Sequence, residues 1–154
     1  MKKDEIKSIA KNKKAYFDYD ILENYEAWIQ LFWHEVKSIK DWHVNLKWAY
    51  ISFVWWFAQI KWMHITPLAS LPNRQSIPGN RERKIFLYKK DLNNLQIKQK
   101  ESWLSIIPLE IYTKWNLIKI KVWLCKWRKE YDKKQILKER SLDKEAKVYL
   151  KKFI

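Results

Sequence analysis

Residues Tyr25–Tyr50, YEAWIQLFWHEVKSIKDWHVNLKWAY, decide how this chain is read. Around Ile29 and Leu31 apolar residues alternate with period two, the mark of a half-buried strand. From His34 to Lys40 the spacing changes, and Glu35, Val36, Ile39 and Lys40 fall into i, i+3, i+4 register. That predicts a short helix ending at Asp41-Trp42. Val44, Leu46 and Tyr50 then resume an extended pattern, so the stretch reads as strand, short helix, strand.

Downstream, Ala49–Val54 and Phe57–Lys61 are β-prone runs joined only by Trp55-Trp56, which predicts a hairpin. Residues 66–83 form a long loop with three prolines and the only glycine, Gly79. The loop ends in Arg81, Arg83 and Lys84, either a phosphate-contacting edge or a solvated charged loop. Ile85–Leu87 is a short strand, and Lys89–Glu101 carries Leu92, Leu95 and Ile97 at the spacing of a short amphipathic helix. Leu104–Tyr112 and Leu117–Leu124 complete the β portion. Five or more short antiparallel strands with a few small helices predict a mainly β fold, a small closed antiparallel barrel of the OB type. Upstream, residues 1–15 read as a loosely ordered basic arm. The expected division is a barrel with that arm over 1–131 and a basic, conditionally helical tail over 132–154. In the tail Leu142, Ala146, Tyr149, Leu150 and Phe153 form a narrow apolar stripe on a helix, at a length that is marginal without packing.

The charge is one-sided. Against 17 Asp and Glu stand 32 Lys and Arg, for a net charge of +15 and a pI near 9.8 in 154 residues. Such a surface predicts a polyanionic partner. A single cysteine, Cys125, rules out an internal disulfide framework and fits a reducing cytoplasm. The charged start has no apolar stretch of the kind a secretory signal needs, and no window is apolar enough to span a membrane.

One pair of counts is abnormal: 11 Trp and 1 Gly. Average usage puts glycine near 7%, or about 11 residues in a chain this long. The tryptophans also fall where glycine is wanted. A two-residue type I′ hairpin needs positive φ at both central positions, which Trp55-Trp56 supplies only under strain. Trp115 sits in the tight turn Thr113-Lys114-Trp115-Asn116, and Trp42 and Trp103 follow helix ends, where a left-handed residue is usual.

No enzymatic constellation emerges. His34, His43 and His64 are scattered and distant from Cys125, without metal-ligand spacing. Phosphate-binding glycine motifs and nucleophile signatures are absent. The sequence therefore predicts no catalytic residue, no metal and no cofactor. Tryptophans among lysines suit base-stacking platforms or a membrane surface. Their placement in turns argues against both, since a platform needs its aromatics on one face.

The pattern EAxI-x-L-x-x-x-EVKSIK-x-x-x-VNLK in Glu26–Lys47 resembles the core of the SsrA-binding protein family. Asn12-Lys13-Lys14-Ala15 before Tyr16-Phe17-Asp18-Tyr19 resembles its N-terminal pattern, and Cys125–Lys134 its C-terminal basic segment. The likeness runs from about residue 8 to 140. Trp28, Trp33, Trp42, Trp103, Trp115, Trp123 and Trp127 stand where that family carries glycine, and Trp48, Trp55, Trp56 and Trp62 where it tolerates glycine. A gene whose UGA codons are read as glycine, translated as tryptophan, would give this sequence. The resemblance implies a cytoplasmic, monomeric, non-enzymatic adaptor that binds the tRNA-like domain of tmRNA and, with elongation factor Tu, helps bring it to stalled ribosomes. It implies RNA contact by Glu35, with Lys37 and Ser38 as weaker candidates. Charge and motif together add Asn12, Lys13, Lys14, Asn45, Arg81, Arg83, Lys84, Lys126, Arg128 and Lys129. Asp132, Lys133, Lys134, Lys138 and Arg140 are the expected ribosome contacts of the tail. The alternative left open is a general ribosomal or single-strand RNA-binding OB module.

Overall fold

The computed structural model of the protein describes residues 6–101 and 103–151. In chain order the elements are β1 (Lys7–Lys11), α1 (Lys13–Asp18), β2 (Tyr19–Ile29), α2 (Trp33–Lys40), β3 (Val44–Asn45), β4 (Tyr50–Val54) and β5 (Phe57–Lys61). There follow β6 (His64–Ile65), β7 (Arg83–Phe86), α3 (Lys89–Gln99), β8 (Leu104–Lys114), β9 (Leu117–Trp127) and α4 (Glu130–Lys151). The chain is mainly β with a few short helices and one long one.

Seven strands form one antiparallel sheet in the order β1-β8-β9-β2-β7-β5-β4, and β3 pairs with β6. The long hairpin β8–β9 is its spine. Alternation along β9 sends Ile118, Ile120, Val122 and Leu124 into the main core, where Ile39 of α2 and Leu95 of α3 join them. The opposite face of the hairpin is covered by α1, whose Ala15 and Tyr16 pack on Ile107, Leu109, Cys125 and Trp123. At Pro108 the pairing with β9 slips, as expected where a strand residue lacks its N–H.

Two expectations need correction. Residues 7–15 are not a loose arm: β1 pairs with β8 from Lys7↔Thr113 to Lys11↔Glu110, and α1 follows at once. Residues 1–5 lie outside the description. The barrel is also not closed by hydrogen bonds, because β1 and β4 are the two edges and no pairing joins them among the described residues. The reason lies in β8. Its C-terminal half is taken by β1, while its N-terminal half faces β4 across a cavity of about 400 Å³ lined by Ala49, Tyr50, Ile51, Leu104, Ile106 and Ile107. Side chains around that cavity, not a ladder, line the seam.

The β4–β5 hairpin forms as read, with Val54↔Phe57 as its last pair. Trp55 takes a φ of 56°, but Trp56 is not left-handed, so the expected type I′ turn with two positive φ values is absent there. The β8–β9 turn does have two, at Trp115 (50°) and Asn116 (64°).

Candidate nucleic-acid interface

The expected RNA-binding residues separate into three groups. The first is built on α2 and β7. Glu35 lies in the first turn of α2 and is buried, with Phe32 N–H donating to its Oε2 at 2.9 Å. Arg81 donates through Nε to Glu35 Oε1 at 2.8 Å, and Arg83 through its Nε to the same oxygen at 2.9 Å. Arg83 is 1% exposed and spends its remaining donors on the carbonyls of Met63, Arg81 and Gly79, at 2.8 to 3.0 Å. Burial alone would push the Glu35 carboxyl up; the Arg81 and Phe32 hydrogen bonds and the Arg83 charge outweigh it and hold it below the usual carboxylate range.

Gly79 completes this corner. A Cβ there would lie 2.7 Å from the Ile65 carbonyl oxygen, so a side chain would break the close approach that lets Gly79 C=O accept from Ile65 N–H. Two positive charges thus meet one negative, and the surplus reaches solvent through Arg81, whose guanidinium lies 4.2 Å from the Phe32 ring centroid. Lys37 and Lys84 are exposed nearby on α2 and β7, whereas Ser38 is fully buried.

The second group surrounds the N-terminus of α1. Asn12 was expected to touch RNA, but it is a buried staple. Its Oδ1 caps α1 by accepting from Ala15 N–H at 3.1 Å, while Nδ2 donates to Leu46 C=O at 3.0 Å and Pro108 C=O at 3.4 Å. That fixes α1 to the β3–β4 connection. Lys13 and Asn45 are exposed, and Lys14 is half-buried beside them. Asn45 Oδ1 accepts from Lys47 N–H at 2.8 Å, turning the chain so that Lys47 faces solvent.

The third group lies where β9 runs into α4. Arg128 is structural: Nε donates to Asp20 at 2.8 Å, and Nη1 donates to the Phe17 carbonyl at 3.1 Å, closing the C-terminal end of α1. Lys133 pairs with buried Asp18 at 3.0 Å. Lys126, Lys129, Asp132, Lys134, Lys138 and Arg140 are exposed. Beyond that first turn α4 has no buried residue; Leu142, Tyr149 and Leu150 of the predicted apolar stripe are in solvent, and Phe153 lies outside the described residues.

Two cations that the sheet aligns, Lys119 and Lys121, were not among the expected residues. Lys119 and Lys121 share one face of β9; Lys119 pairs with Glu26, and Lys121 reaches Glu110 at 2.8 Å. The period-two lysines of Ile118–Val122 carried that signal. Among the described residues no group of three or more His, Cys, Asp or Glu could hold a metal ion, and no helix is long and apolar enough to cross a membrane.

Comparison with known proteins agrees with this geometry. The family described as SmpB protein matches residues 9–152. The SsrA-binding protein of Helicobacter pylori (strain Shi470) is 41% identical over 147 residues, covering 95% of this chain and 97% of that one. The SsrA-binding protein of a Nitratiruptor species is 38% identical over 149 residues, covering 96% of this chain and 99% of that one. A solved structure described as "tmRNA-SmpB: a journey to the center of the bacterial ribosome" superposes with a TM-score of 0.66 at 31% identity, over 79% of this chain and 85% of that one. With its fold, its basic groups and a match across nearly its whole length, the chain belongs to the SmpB protein family.

Proposed function

We propose that the protein binds the tRNA-like domain of tmRNA and helps deliver it to stalled ribosomes, as an adaptor in trans-translation. The observation that carries this is the family match over residues 9–152 together with relatives that are SsrA-binding proteins along their whole length. The charge of +15 supplies the sequence-independent part of the affinity. Specificity comes from the shape of a folded RNA, read through backbone contacts by cations held at fixed positions.

In this reading the residues divide by role. Arg81, Lys37, Lys84, Lys13, Lys14, Asn45, Lys126 and Lys129 face the RNA. Glu35, Arg83, Asn12 and Arg128 set the positions of those groups and of the backbone that carries them. Seven strands round one core, with the β4–β8 seam lined by side chains about a cavity, make an OB-like barrel that is not closed by hydrogen bonds. The exposed α4 enters the ribosome as a basic helix, with Asp132, Lys133, Lys134, Lys138 and Arg140 as its contacts. The protein works in the cytoplasm as a monomer, with elongation factor Tu as a further partner, and performs no catalysis of its own.

The test is competition between the tRNA-like domain of tmRNA and an unrelated hairpin of equal length at physiological salt. A clear preference for the tRNA-like domain is expected, weakened in Glu35→Ala even though that change removes a negative charge. Equal affinity for both RNAs identifies a general RNA-binding module instead. Tighter tmRNA binding by Glu35→Ala means that Glu35 merely repels phosphate.

A further inference from the structure

The chain holds eleven tryptophans and one glycine, and the backbone says what five of the eleven are standing in for. Trp42, Trp48, Trp55, Trp62 and Trp115 have φ values of 66°, 70°, 56°, 63° and 50°. In this left-handed region the Cβ of an L-residue crowds the following carbonyl, so glycine occupies it freely and a bulky residue there is an outlier. Among the described residues the only other non-glycine at positive φ is Asn116, of the residue type that tolerates it best. Every bulky residue in that region is therefore a tryptophan.

Each of the five sits in a tight turn or just past an element: after α2, before β4, between β4 and β5, after β5, and between β8 and β9. Their indoles are 54% to 82% exposed, so core burial does not compensate for the strain. We propose that positions 42, 48, 55, 62 and 115 are glycine in the functional protein. The codon UGA differs by one base from a glycine codon, GGA, and from the tryptophan codon, UGG; some genetic codes read it as glycine and others as tryptophan. A gene with UGA at these positions gives the present sequence under the second reading and a strain-free backbone under the first.

The exchange also changes the surface. Lys7 lies 5.4 Å from the Trp42 ring centroid, Lys14 and Lys47 lie 3.1 and 6.0 Å from that of Trp48, and Lys114 lies 4.9 Å from that of Trp115. Glycine at the three sites frees the half-buried Lys14 and Lys114 for phosphate and takes the neighbouring indole away from Lys7 and Lys47, which are already exposed. This second consequence rests on the RNA-binding reading above; the decoding does not.

Tandem mass spectrometry of the protein purified from its own cells decides the decoding. Glycine at the five positions is the expected result, and tryptophan at them overturns the proposal. In recombinant protein, replacing the five tryptophans by glycine raises Tm, whereas Trp28→Gly, inside β2 and packed on Tyr88, does not. A five-site variant that melts lower than its tryptophan parent, or fails to fold when the parent folds, overturns the proposal as well. For RNA, the slope of log affinity against log salt steepens by up to about 2 in the five-site variant. If glycine is found by mass spectrometry but the slope is unchanged, the uncovering of the lysines is refuted and the decoding stands.

Discussion

Replacing Glu35 by alanine tests whether the α2–β7 corner is held as described. The substitution deletes both oxygens that receive Arg81, Arg83 and the Phe32 N–H. Arg83, at 1% exposure, keeps its three carbonyl acceptors but loses its counter-charge. Removing one partner of a buried pair costs about 3–5 kcal/mol. The Arg81 side chain, 24% exposed, recovers part of its loss from water, which places the expected cost near the lower end, at about 3 kcal/mol. In a chain of this size that lowers Tm by about 6–12 °C at neutral pH, measured by circular dichroism. Glu35→Gln, which keeps the shape and some hydrogen bonding, falls between. The double variant Glu35→Leu with Arg83→Met, which removes both charges, recovers much of the loss, so the two costs are not additive. The pH dependence has a definite sign. The folded-state pKa of Glu35 is depressed, so its contribution is present above the ordinary carboxylate pKa and fades as the pH falls through the folded value. Glu35→Gln flattens the stability curve in that acidic window. An alanine variant that melts within about 2 °C of the parent yet loses tmRNA binding would refute the reasoning, because Glu35 would then be touching RNA directly.

Other contacts in the fold give further expected outcomes. Asn12→Ala loses the α1 cap and the donors to Leu46 and Pro108, for a cost of about 1–3 kcal/mol, read as a lower urea midpoint at unchanged slope. An unchanged midpoint would return Asn12 to the RNA-facing set. Cys125 is buried, and burial pushes its thiol up to about 12, so it should resist alkylation at pH 8 in the folded protein and react only on unfolding. Fast labelling of native protein contradicts its placement under α1. Deleting residues 135–154 keeps the Lys133–Asp18 pair and, among the described residues, removes helix with no buried side chain, so Tm should move by less than about 2 °C while peptide tagging on stalled ribosomes is lost. A larger fall in Tm would show that the tail docks on the sheet.

Local pattern made some of this legible and distance concealed the rest. The β4–β5 hairpin, α2, α3 and the β8–β9 spine follow from alternation and helical spacing within single windows, and their observed limits differ from the reading by at most a few residues. The strand β1 was missed because Lys7-Ser8-Ile9-Ala10-Lys11 is mostly polar and its partner lies about a hundred residues away. Glu35 was singled out from its motif, without sight of the two arginines that the fold sets against it. In sequence it is a glutamate on a short helix, and only the fold brings Arg81 and Arg83 onto its two oxygens. The bonds of Asn12 were hidden for the same reason, its acceptors being the backbone of Leu46 and Pro108. The strained turns, by contrast, could be read directly, since the need for positive φ is a property of a few consecutive residues. Even there Trp56 shows that knowing a turn's length does not fix its type.

The strand order has a consequence for how the chain is made. β1 and β2, at the start, pair with β8 and β9, near the end. As the chain emerges from a ribosome, β1 has no partner, and β2 has one only at its last two residues, against β7, until residues 104–127 have followed. Long-range pairing of this kind slows folding, because a large loop must close before any contact rewards it. The β4–β5 hairpin can form early, but the sheet cannot be completed until the spine arrives. Synthesis interrupted before Leu104 therefore yields a fragment with β1 orphaned and most of β2 unpaired, rather than a smaller version of the same fold.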